Sequence, residues 1–545
     1  MTGDPRTGAS VVMLDGSPLS IGDVAGVANG TALVEVSRDA LERVAVSRAD
    51  LEAAADDGEP HYGVNTGFGS FSRERISASE LRSLQTNLIR SHAAGVGDPL
   101  PTPIVRGMML ILAASLCRGL SGVRPVVIER LVAMLNAGVT PVVPEVGSVG
   151  ASGDLAPLAH VGLVLIGEGE AIIRSRSGSA GGTGSVDGSG TVLERDRGAA
   201  AMRAAGIEPI TLEAKEGLTL INGTHLMASR LSLAWVRFER LVNGACAAAA
   251  MSLDGCRATD AFLAPAVYDA RNQAGPSLVA ARLRALLHGS TILPSHADAD
   301  DPRVQDPYSI RCAPIVLGAA VDAASHARVA IERELGAVTD NPLVLARRGA
   351  DTERGTDSGP ETEIVSAGNF HGMPLAIPLD VLAIAVTHIA GISERRTYHM
   401  ISAIDPETRL RPYLSPKPGL HSGYMIAQYT AAACCNELIG LATPSSVANL
   451  STSAGMEDYN SFGPRGAAKL DRAIWLASRV IAIELLCASQ AIEAHRPLVS
   501  GVGAEAVLGE VRRVVPSLDA DRPPSPDIDT IGDMVLRGDV AMGMV

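Results

Sequence analysis

The segment EVGSVGASGDLAPLAH, residues 145–160, combines small residues, a hydroxyl and an acid in a pattern that could do chemistry. Ala151-Ser152-Gly153 opens an apolar run, and Asp154 follows it directly. Ser152 could be a helix N-cap, with Asp154 in the first helical turn. A phosphate loop is not favoured because its Lys-Ser/Thr pair is missing, and the spacing does not fit the Gly-x-Ser-x-Gly of a nucleophile elbow.

The same tripeptide also permits a backbone reaction. The amide nitrogen of Gly153 could attack the carbonyl carbon of Ala151, since glycine tolerates the tight bend and alanine crowds it little. Loss of one water, and then of the Ser152 hydroxyl as a second water, would leave a five-membered ring with an exocyclic methylidene. Such a ring is an electrophile, which no ordinary side chain provides. The residues alone leave both the cap and the cyclisation open.

Other segments along the chain also match the motifs of a known protein family. Together with GSVGASGDLAPLAH, the chain resembles the aromatic amino acid ammonia-lyase family over roughly residues 10 to 520. That family builds the cofactor 4-methylideneimidazol-5-one (MIO) from Ala-Ser-Gly, here Ala151-Ser152-Gly153. The other matching blocks, in family order, are YGVNTGFG (62–69), NLIRSHAAGVG (87–97), KEGLTLINGT (215–224), QDPYSIRCAP (305–314), TDNPL (339–343), SAGNFHG (366–372) and HSGYMIAQ (421–428).

The resemblance implies a role for each residue that matches a family motif. The reaction removes ammonia across the Cα–Cβ bond of an amino acid, which calls for an electrophile and a positioned base. Tyr62 would be that base, on a glycine-containing loop that could act as a lid, and its site would have to favour the phenolate. Asp154 would assist the cyclisation of the tripeptide.

The resemblance also implies a set of groups that bind the substrate. Arg311 would hold the substrate carboxylate with a bidentate fork, and Tyr308, three residues earlier, could share its helix face. Asn222 and Gln305 would offer neutral hydrogen bonds near the MIO ring and the carboxylate. Phe370 would form a wall beside the ring.

Two positions point to the substrate. Ser91-His92 after NLIR resembles histidine ammonia-lyases, although some bacterial tyrosine aminomutases share the pair. Glu457, within SAGMEDYNSFG (453–463), could accept a proton or hydrogen bond from an imidazole, and a phenyl ring offers it no partner. The expectation is therefore conversion of L-histidine to trans-urocanate, with Glu457 among the catalytic groups.

An alternative substrate stays open at this stage. Met456 stands where histidine enzymes usually have Gln, and the chain carries two hydrophilic insertions, 174–191 and 346–363. These departures affect the choice of substrate, not the reaction class. A tyrosine or other aromatic amino acid ammonia-lyase, or a 2,3-aminomutase in a biosynthetic pathway, is the alternative reading. Retention of the matching residues argues against an inactive helical protein.

The elements that must position these residues are mostly helices. Helical spacing predicts helices over 78–95, 102–122 and 125–138, and SVVMLDG near the start is strand-like. Long helices follow, which predict a mainly α fold built as an elongated bundle, an architecture like that of the fumarase/aspartase superfamily. The bounds predicted for the long helices are 225–253, 314–337, 373–399, 423–442 and 465–495.

The predicted organisation has three parts. Residues 1–220 would form a mixed N-terminal domain that carries MIO, residues 221–520 the long-helix bundle, and residues 521–545 a C-terminal tail. The resemblance further implies a homotetramer whose active sites are shared between subunits.

Composition and charge restrict the classes of partner that the protein is expected to bind. The 545 residues are 46% hydrophobic and carry a formal net charge of −14, so a phosphate backbone is not an expected partner. The N-terminus lacks the apolar region of a signal peptide, the two longest apolar stretches indicate buried helices, and no basic amphipathic stretch suggests a membrane surface. Seven cysteines without a CxxC pair indicate reduced thiols, and no metal is expected. We therefore expect a cytoplasmic enzyme that acts on a small amino acid.

Overall fold

The fold was analysed in a computed structural model that describes residues 10–55, 59–77, 79–174, 185–186, 192–296, 302–346 and 362–541. Helices dominate these residues, and the predicted mainly α class is confirmed. The α-helices are α1 Ile21–Ala28, α2 Arg38–Ala55, α3 Leu81–His92, α4 Thr102–Leu116, α5 Pro125–Ala137, α6 Leu155–Leu165, α7 Gly198–Ala204, α8 Glu216–Ile221, α9 His225–Gly255, α10 Pro265–Arg271, α11 Ala274–Leu287, α12 Tyr308–Arg311, α13 Ala313–Glu334, α14 Met373–Ser402, α15 Met425–Leu441, α16 Gly463–Glu493, α17 Val502–Val514 and α18 Ser525–Arg537.

The strands are short and form small sheets. β1 pairs with β2 in parallel, whereas the other ladders, β3 with β5, β9 with β10, and the sheet of order β4-β6-β8-β7, are antiparallel. Their bounds are β1 Ser10–Leu14, β2 Ala32–Val36, β3 Val96–Pro99, β4 Val139–Pro141, β5 Pro144–Val146, β6 Glu170–Arg174, β7 Ser185–Val186, β8 Val192–Arg197, β9 Leu343–Ala346 and β10 Thr362–Val365.

All the helices predicted from spacing are present. The three N-terminal ones are shorter at their C-terminal ends than predicted, or at both ends for α3. The helix α5 ends at Ala137, and Gly138 follows in the left-handed conformation that often closes a helix. Most of the two predicted insertions, residues 175–184, 187–191 and 347–361, lies outside the described residues.

The described chain divides into two compact units. The first contains residues 1–233, 329–377 and 445–467, and the second contains residues 234–328, 378–444 and 468–545. Two late segments thus belong with the N-terminal part, which a division along the linear chain does not show. The partition into 1–220, 221–520 and 521–545 stays a prediction.

In the first unit, three helices pack around the segment that carries the tripeptide. α3, α6 and α8 contact one another, with Leu88, Ile89 and Leu158 in their core. Gln85 of α3 is fully buried, and its Oε1 accepts the backbone N–H groups of Gly217 and Leu218 at 2.9 and 3.3 Å. This side chain therefore satisfies the open N-terminus of α8 and fixes α8 against α3.

The second unit has a polar cluster inside its apolar core. Arg396 and Glu484 form an ion pair with no exposed side-chain surface, and Ser252 and Ser393 each donate to the same carboxylate. These residues come from α9, α14 and α16. Because removing one partner would leave a buried charge without compensation, the pair fixes the register of the three helices.

Among the described residues, three helices are long and apolar enough to cross a membrane by length and composition alone, namely α13, α14 and α16. The apolar window of α16 is 89% buried by protein, which accounts for its composition as a core helix. The windows of α14 and α13 are 61% and 39% buried.

Candidate active site

Ala151-Ser152-Gly153 forms a tight turn between β5 and α6. Gly153 has φ +77°, and a Cβ at this position would overlap the backbone of Gly223. Two hydrogen bonds join the turn to the backbone at Gly223. The Gly223 N–H donates to the Ser152 carbonyl at 3.3 Å, and the Asp154 N–H donates to the Gly223 carbonyl at 2.7 Å. The turn therefore packs directly against Gly223, just before the start of α9.

Of the two possibilities left open for Ser152, the helix cap is not the one that the structure shows. α6 begins at Leu155, and the N-cap residue is Asp154, whose side chain makes no capping bond to α6. Ser152 instead directs its hydroxyl to a distant acid, with Oγ donating to Oε1 of Glu457 at 3.1 Å. The hydroxyl that a cyclisation would remove therefore lies in a polar site, not in a helix cap.

Asp154 caps a different helix. Its carboxylate is fully buried, and Oδ2 accepts the N–H groups of Leu226 and Met227 at 2.9 and 3.1 Å, in the first turn of α9. The Ser148 hydroxyl donates to Oδ1 at 3.3 Å. Burial raises the pKa of Asp154 to about 7, and these hydrogen bonds oppose that rise. The tripeptide and the start of α9 are thereby joined through one side chain.

Asn222 contributes the next group around the turn. It is 3% exposed, and its Nδ2 donates to the Ser152 carbonyl at 3.3 Å. Its Oδ1 is buried and has no hydrogen-bond partner among the described residues. A buried acceptor of this kind is available to a donor in the adjoining cavity.

Glu457 ends a compact turn that starts at Thr452. The two residues exchange backbone hydrogen bonds of 2.8 and 3.3 Å, and the residues between them include Ser453 and Ala454 at φ 50° and 53°, followed by Gly455 at φ 88°. A left-handed conformation costs a non-glycine residue roughly 1–2 kcal/mol. Strain of this kind is typical of functional sites, where the surrounding structure enforces it.

Tyr62 lies on the loop predicted to act as a lid. Its hydroxyl accepts the N–H of Gly69 at 3.2 Å. Burial raises the pKa of Tyr62, the Gly69 hydrogen bond lowers it, and the negative charge of Glu457 raises it again. The net rise is the reverse of the phenolate-favouring environment expected from the sequence, because these residues bring no positive charge to the phenol.

His92 ends α3 at the same site. Its Nδ1 lies 2.9 Å from the carbonyl of Leu88 and 3.0 Å from Oγ of Ser91. Burial lowers the pKa of His92, and the Leu88 carbonyl and the Glu457 charge raise it more weakly. The imidazole is therefore held neutral at pH 7, with Nδ1 engaged by its own helix.

Two cavities meet at the tripeptide. One of about 590 Å³ reaches His92 between apolar walls, and one of about 570 Å³ reaches Phe370 beside a more polar wall. Both contact the same four predicted residues, Tyr62, Ser152, Asn222 and Glu457. The apolar walls of the first cavity include Phe68, Ile76, Leu84, Leu88, Leu218 and Ile221.

Three predicted residues do not join this group. Gln305, Tyr308 and Arg311 belong to the second unit and line neither cavity. The expectation that Tyr308 and Arg311 share a face is confirmed, since the guanidinium carbon lies 4.6 Å from the centre of the tyrosine ring. Nε of Arg311 donates to the Asp306 carbonyl at 3.0 Å.

Several contributors were not identified from the sequence. The Gly223 backbone clamps the tripeptide, Thr452 contacts Glu457, and the His371 imidazole lines the second cavity 6.1 Å from the Tyr459 ring. Gly223 and His371 do stand inside motif blocks that were recognised, whereas no local pattern marks Thr452. Within the described ranges, no group of three or more His, Cys, Asp or Glu side chains is placed to hold a metal ion.

Known proteins resemble this chain over most of its length. The family model for aromatic amino acid lyases matches residues 19–513. The chain is 45% identical to a histidine ammonia-lyase of Anaeromyxobacter sp. (strain K), covering 97% of this chain and 99% of that protein. It is 44% identical to a histidine ammonia-lyase of Gloeobacter violaceus, covering 97% of this chain and 96% of the relative.

Solved structures share the fold over nearly the whole length. A histidine ammonia-lyase from Trypanosoma cruzi has a TM-score of 0.84 at 36% identity, covering 98% of this chain and 94% of that one. A tyrosine aminomutase from Streptomyces globisporus has a TM-score of 0.86 at 32% identity, covering 98% of both chains. The resemblance seen in the sequence blocks is thereby confirmed, and the chain belongs to the aromatic amino acid lyase family.

Proposed function

We propose that this protein eliminates ammonia from L-histidine to give trans-urocanate. The observation that carries the proposal is the site in which Ser152 contacts Glu457, with His92 in the same cavity. Relatives of 45% and 44% identity that are named histidine ammonia-lyase support the same substrate. The activity is that of a carbon–nitrogen lyase.

The site fits an MIO group formed from Ala151-Ser152-Gly153. The backbone of Gly153 packs so closely on Gly223 that no side chain could be present at residue 153, which leaves its amide nitrogen beside a bend of small residues. Ala151 is also buried, at 4% exposure. The MIO group would supply the electrophile that activates the amino acid for loss of its amine.

Asp154 stabilises the bend through its hydrogen bonds to the start of α9. Because its carboxylate holds the first turn of α9, it also fixes Asn222 and Gly223 against the Ser152 carbonyl. A bend held at both of its ends has fewer extended conformations available to it. This restriction favours the approach of the Gly153 amide nitrogen to the Ala151 carbonyl carbon. The Oδ1 of Asn222, which has no hydrogen-bond partner among the described residues, would then accept a hydrogen bond from the substrate amine.

The imidazole of histidine would be bound between His92 and Glu457. His92 is neutral, so its free ring nitrogen can exchange a hydrogen bond with another imidazole. Glu457 offers carboxylate oxygens that accept from an imidazole N–H. A phenyl ring would leave these polar groups without partners, and the resulting penalty selects against phenylalanine.

Tyr62 would remove the β-proton. The chain alone raises the pKa of this phenol, so the phenolate needs positive charge from outside these residues. The ammonium group of the bound substrate brings such a charge. A cation contributed by another subunit would act in the same direction.

The substrate carboxylate requires a cation that the two cavities do not contain. We infer that Arg311, with Tyr308 and Gln305 beside it, serves a site on another subunit of a homotetramer. The exposure of Gln305 and Tyr308, the latter 71% exposed, leaves them open to such a contact. In the same proposal, the enzyme works in the cytoplasm.

A substrate panel tests this proposal. The purified protein would be incubated with histidine, tyrosine and phenylalanine in turn, and α,β-unsaturated acids would be separated from β-amino acids. Urocanate as the main product supports the proposal. Faster conversion of tyrosine, or accumulation of a β-amino acid, would replace it with the aromatic lyase or aminomutase alternative.

A further inference from the structure

Thr452 lies at the start of the turn that ends in Glu457, and its single hydroxyl hydrogen is shared between two oxygens of that residue. Oγ1 lies 3.3 Å from Oε2 of Glu457 and 3.1 Å from the Glu457 carbonyl. The opposite carboxylate oxygen, Oε1, faces Ser152. The carboxylate is thus held between two hydroxyls, one from the tripeptide and one from its own turn.

The main chain of this turn is closed as well. Thr452 and Glu457 bridge each other through backbone hydrogen bonds in both directions, and Ser453 and Ala454 take left-handed conformations within the turn. The turn also meets the Tyr62 loop, since a Cβ on Gly69 would lie 2.9 Å from Oγ of Ser453. Backbone and loop contacts place the Cα of Glu457, but they leave its side-chain torsions free.

We propose that Thr452 is a positioning residue that sets the orientation of the Glu457 carboxylate. Its hydroxyl holds Oε2, so that Oε1 is directed at the Ser152 position and at the substrate bound there. A glutamate side chain has three rotatable bonds, and only the Thr452 hydroxyl and Ser152 restrain its end among the hydrogen bonds described. Once the Ser152 hydroxyl is lost on ring formation, the Thr452 contact would be the one that remains.

The proposal rests on the proposed function, since it deepens the role of Glu457 in that site. Thr452→Val retains the branched shape and removes the hydroxyl, whereas Thr452→Ser retains the hydroxyl. We expect Thr452→Val to lower kcat on the order of tenfold with a smaller change in KM, because a misaligned carboxylate still binds but acts less often in the productive orientation. Thr452→Ser should recover most of the lost kcat.

A double-mutant cycle separates this role from a structural one. If Thr452 acts through Glu457, Thr452→Val should change kcat by less than about twofold in a Glu457→Ala background, which removes the partner of its hydroxyl. Thr530→Val, which removes an exposed hydroxyl bonded to its own helix, controls for threonine loss in general. Thermal unfolding of each variant shows whether the fold is retained.

The outcomes distinguish this proposal from the proposed function. An unchanged kcat in Thr452→Val, or an equal loss with and without Glu457, would overturn the positioning role. The cycle is measured with whichever amino acid the wild-type enzyme converts fastest. Preference for an amino acid other than histidine would therefore refute the proposed substrate and still leave the Thr452 test informative.

Discussion

Replacement of Glu457 by glutamine is the change that most directly tests how the site selects its substrate. Glu457→Gln keeps the length of the side chain and removes its charge, so the contact with the Thr452 hydroxyl can persist as a neutral hydrogen bond. We expect turnover of histidine to fall sharply and turnover of phenylalanine, already low, to change little. The reason is that only an imidazole can donate to the carboxylate.

The size of the effect follows from the hydrogen bond that is weakened. A hydrogen bond to a charged group contributes about 1.5–3 kcal/mol, and each ~1.4 kcal/mol corresponds to a factor of ten. The loss in kcat/KM for histidine should therefore be on the order of 10- to 100-fold. His92 would remain and preserve part of the preference for an imidazole.

A second readout comes from the electrostatic coupling of Glu457 to Tyr62. The negative charge of Glu457 raises the pKa of Tyr62, so removing that charge lowers the pKa. The phenolate would then form at lower pH, and the rising limb of the pH profile of kcat/KM should move to lower pH. A merely structural defect would reduce activity without this shift.

The assay is steady-state elimination measured from the absorbance of the unsaturated product across a range of pH. Glu42→Gln, which removes an exposed surface carboxylate paired with Arg38, controls for loss of charge. The reasoning would be refuted if Glu457→Gln retained full histidine turnover, or if wild-type enzyme preferred tyrosine. In the second case Glu457 would be a hydrogen-bonded acid without a role in recognising imidazole.

Three further predictions concern the prosthetic group, the assembly and stability. The folded protein should weigh two water molecules less than its translated sequence by intact mass, and Ser152→Ala should regain that mass and lose almost all activity; an undehydrated wild-type protein would exclude MIO. Mixed and reassembled Tyr62→Phe and Ser152→Ala chains should recover some activity if subunits share sites, whereas an active monomer in light scattering would contradict the tetramer. The pKa of Asp154 is raised to about 7 in the folded protein from an ordinary value of 3.8, so the unfolded state binds fewer protons than the folded state between these two pH values. The free energy of unfolding should therefore fall as pH rises through this window, by up to about 4 kcal/mol. Asp154→Asn should remove most of that dependence of Tm on pH, and an equal pH dependence in wild type and variant would count against the buried carboxyl as its source.

Much of the fold could be predicted from local sequence. The long helices follow from apolar residues at helical spacing, a property of near neighbours in the chain. The ends of the helices differ from those predicted, as in α4, which ends at Leu116 where the pattern predicted residue 122. Helix ends depend on capping and on the packing of the next segment, which spacing does not encode.

The candidate site was predictable as a set of residues but not as an arrangement. Short motifs identified Tyr62, His92, Ser152 and Glu457, and these four line one cavity. The motifs did not show that Ser152 and Glu457 touch across 305 residues of chain. Arg311 illustrates the opposite case, since its motif is clear and yet it belongs to the second unit and lines neither cavity.

The sequence by itself determined the position of the Ala-Ser-Gly tripeptide, the helical class and the family, because each follows from residue types at fixed spacing. Only the tertiary structure decided what each polar group contacts. Asp154 shows the physical reason: local pattern offered it only a place in the first turn of the helix that follows, yet its carboxylate serves the start of α9, 72 residues away. Hydrogen-bond partners, burial and hence pKa depend on which distant segments pack together, and no local pattern carries that information.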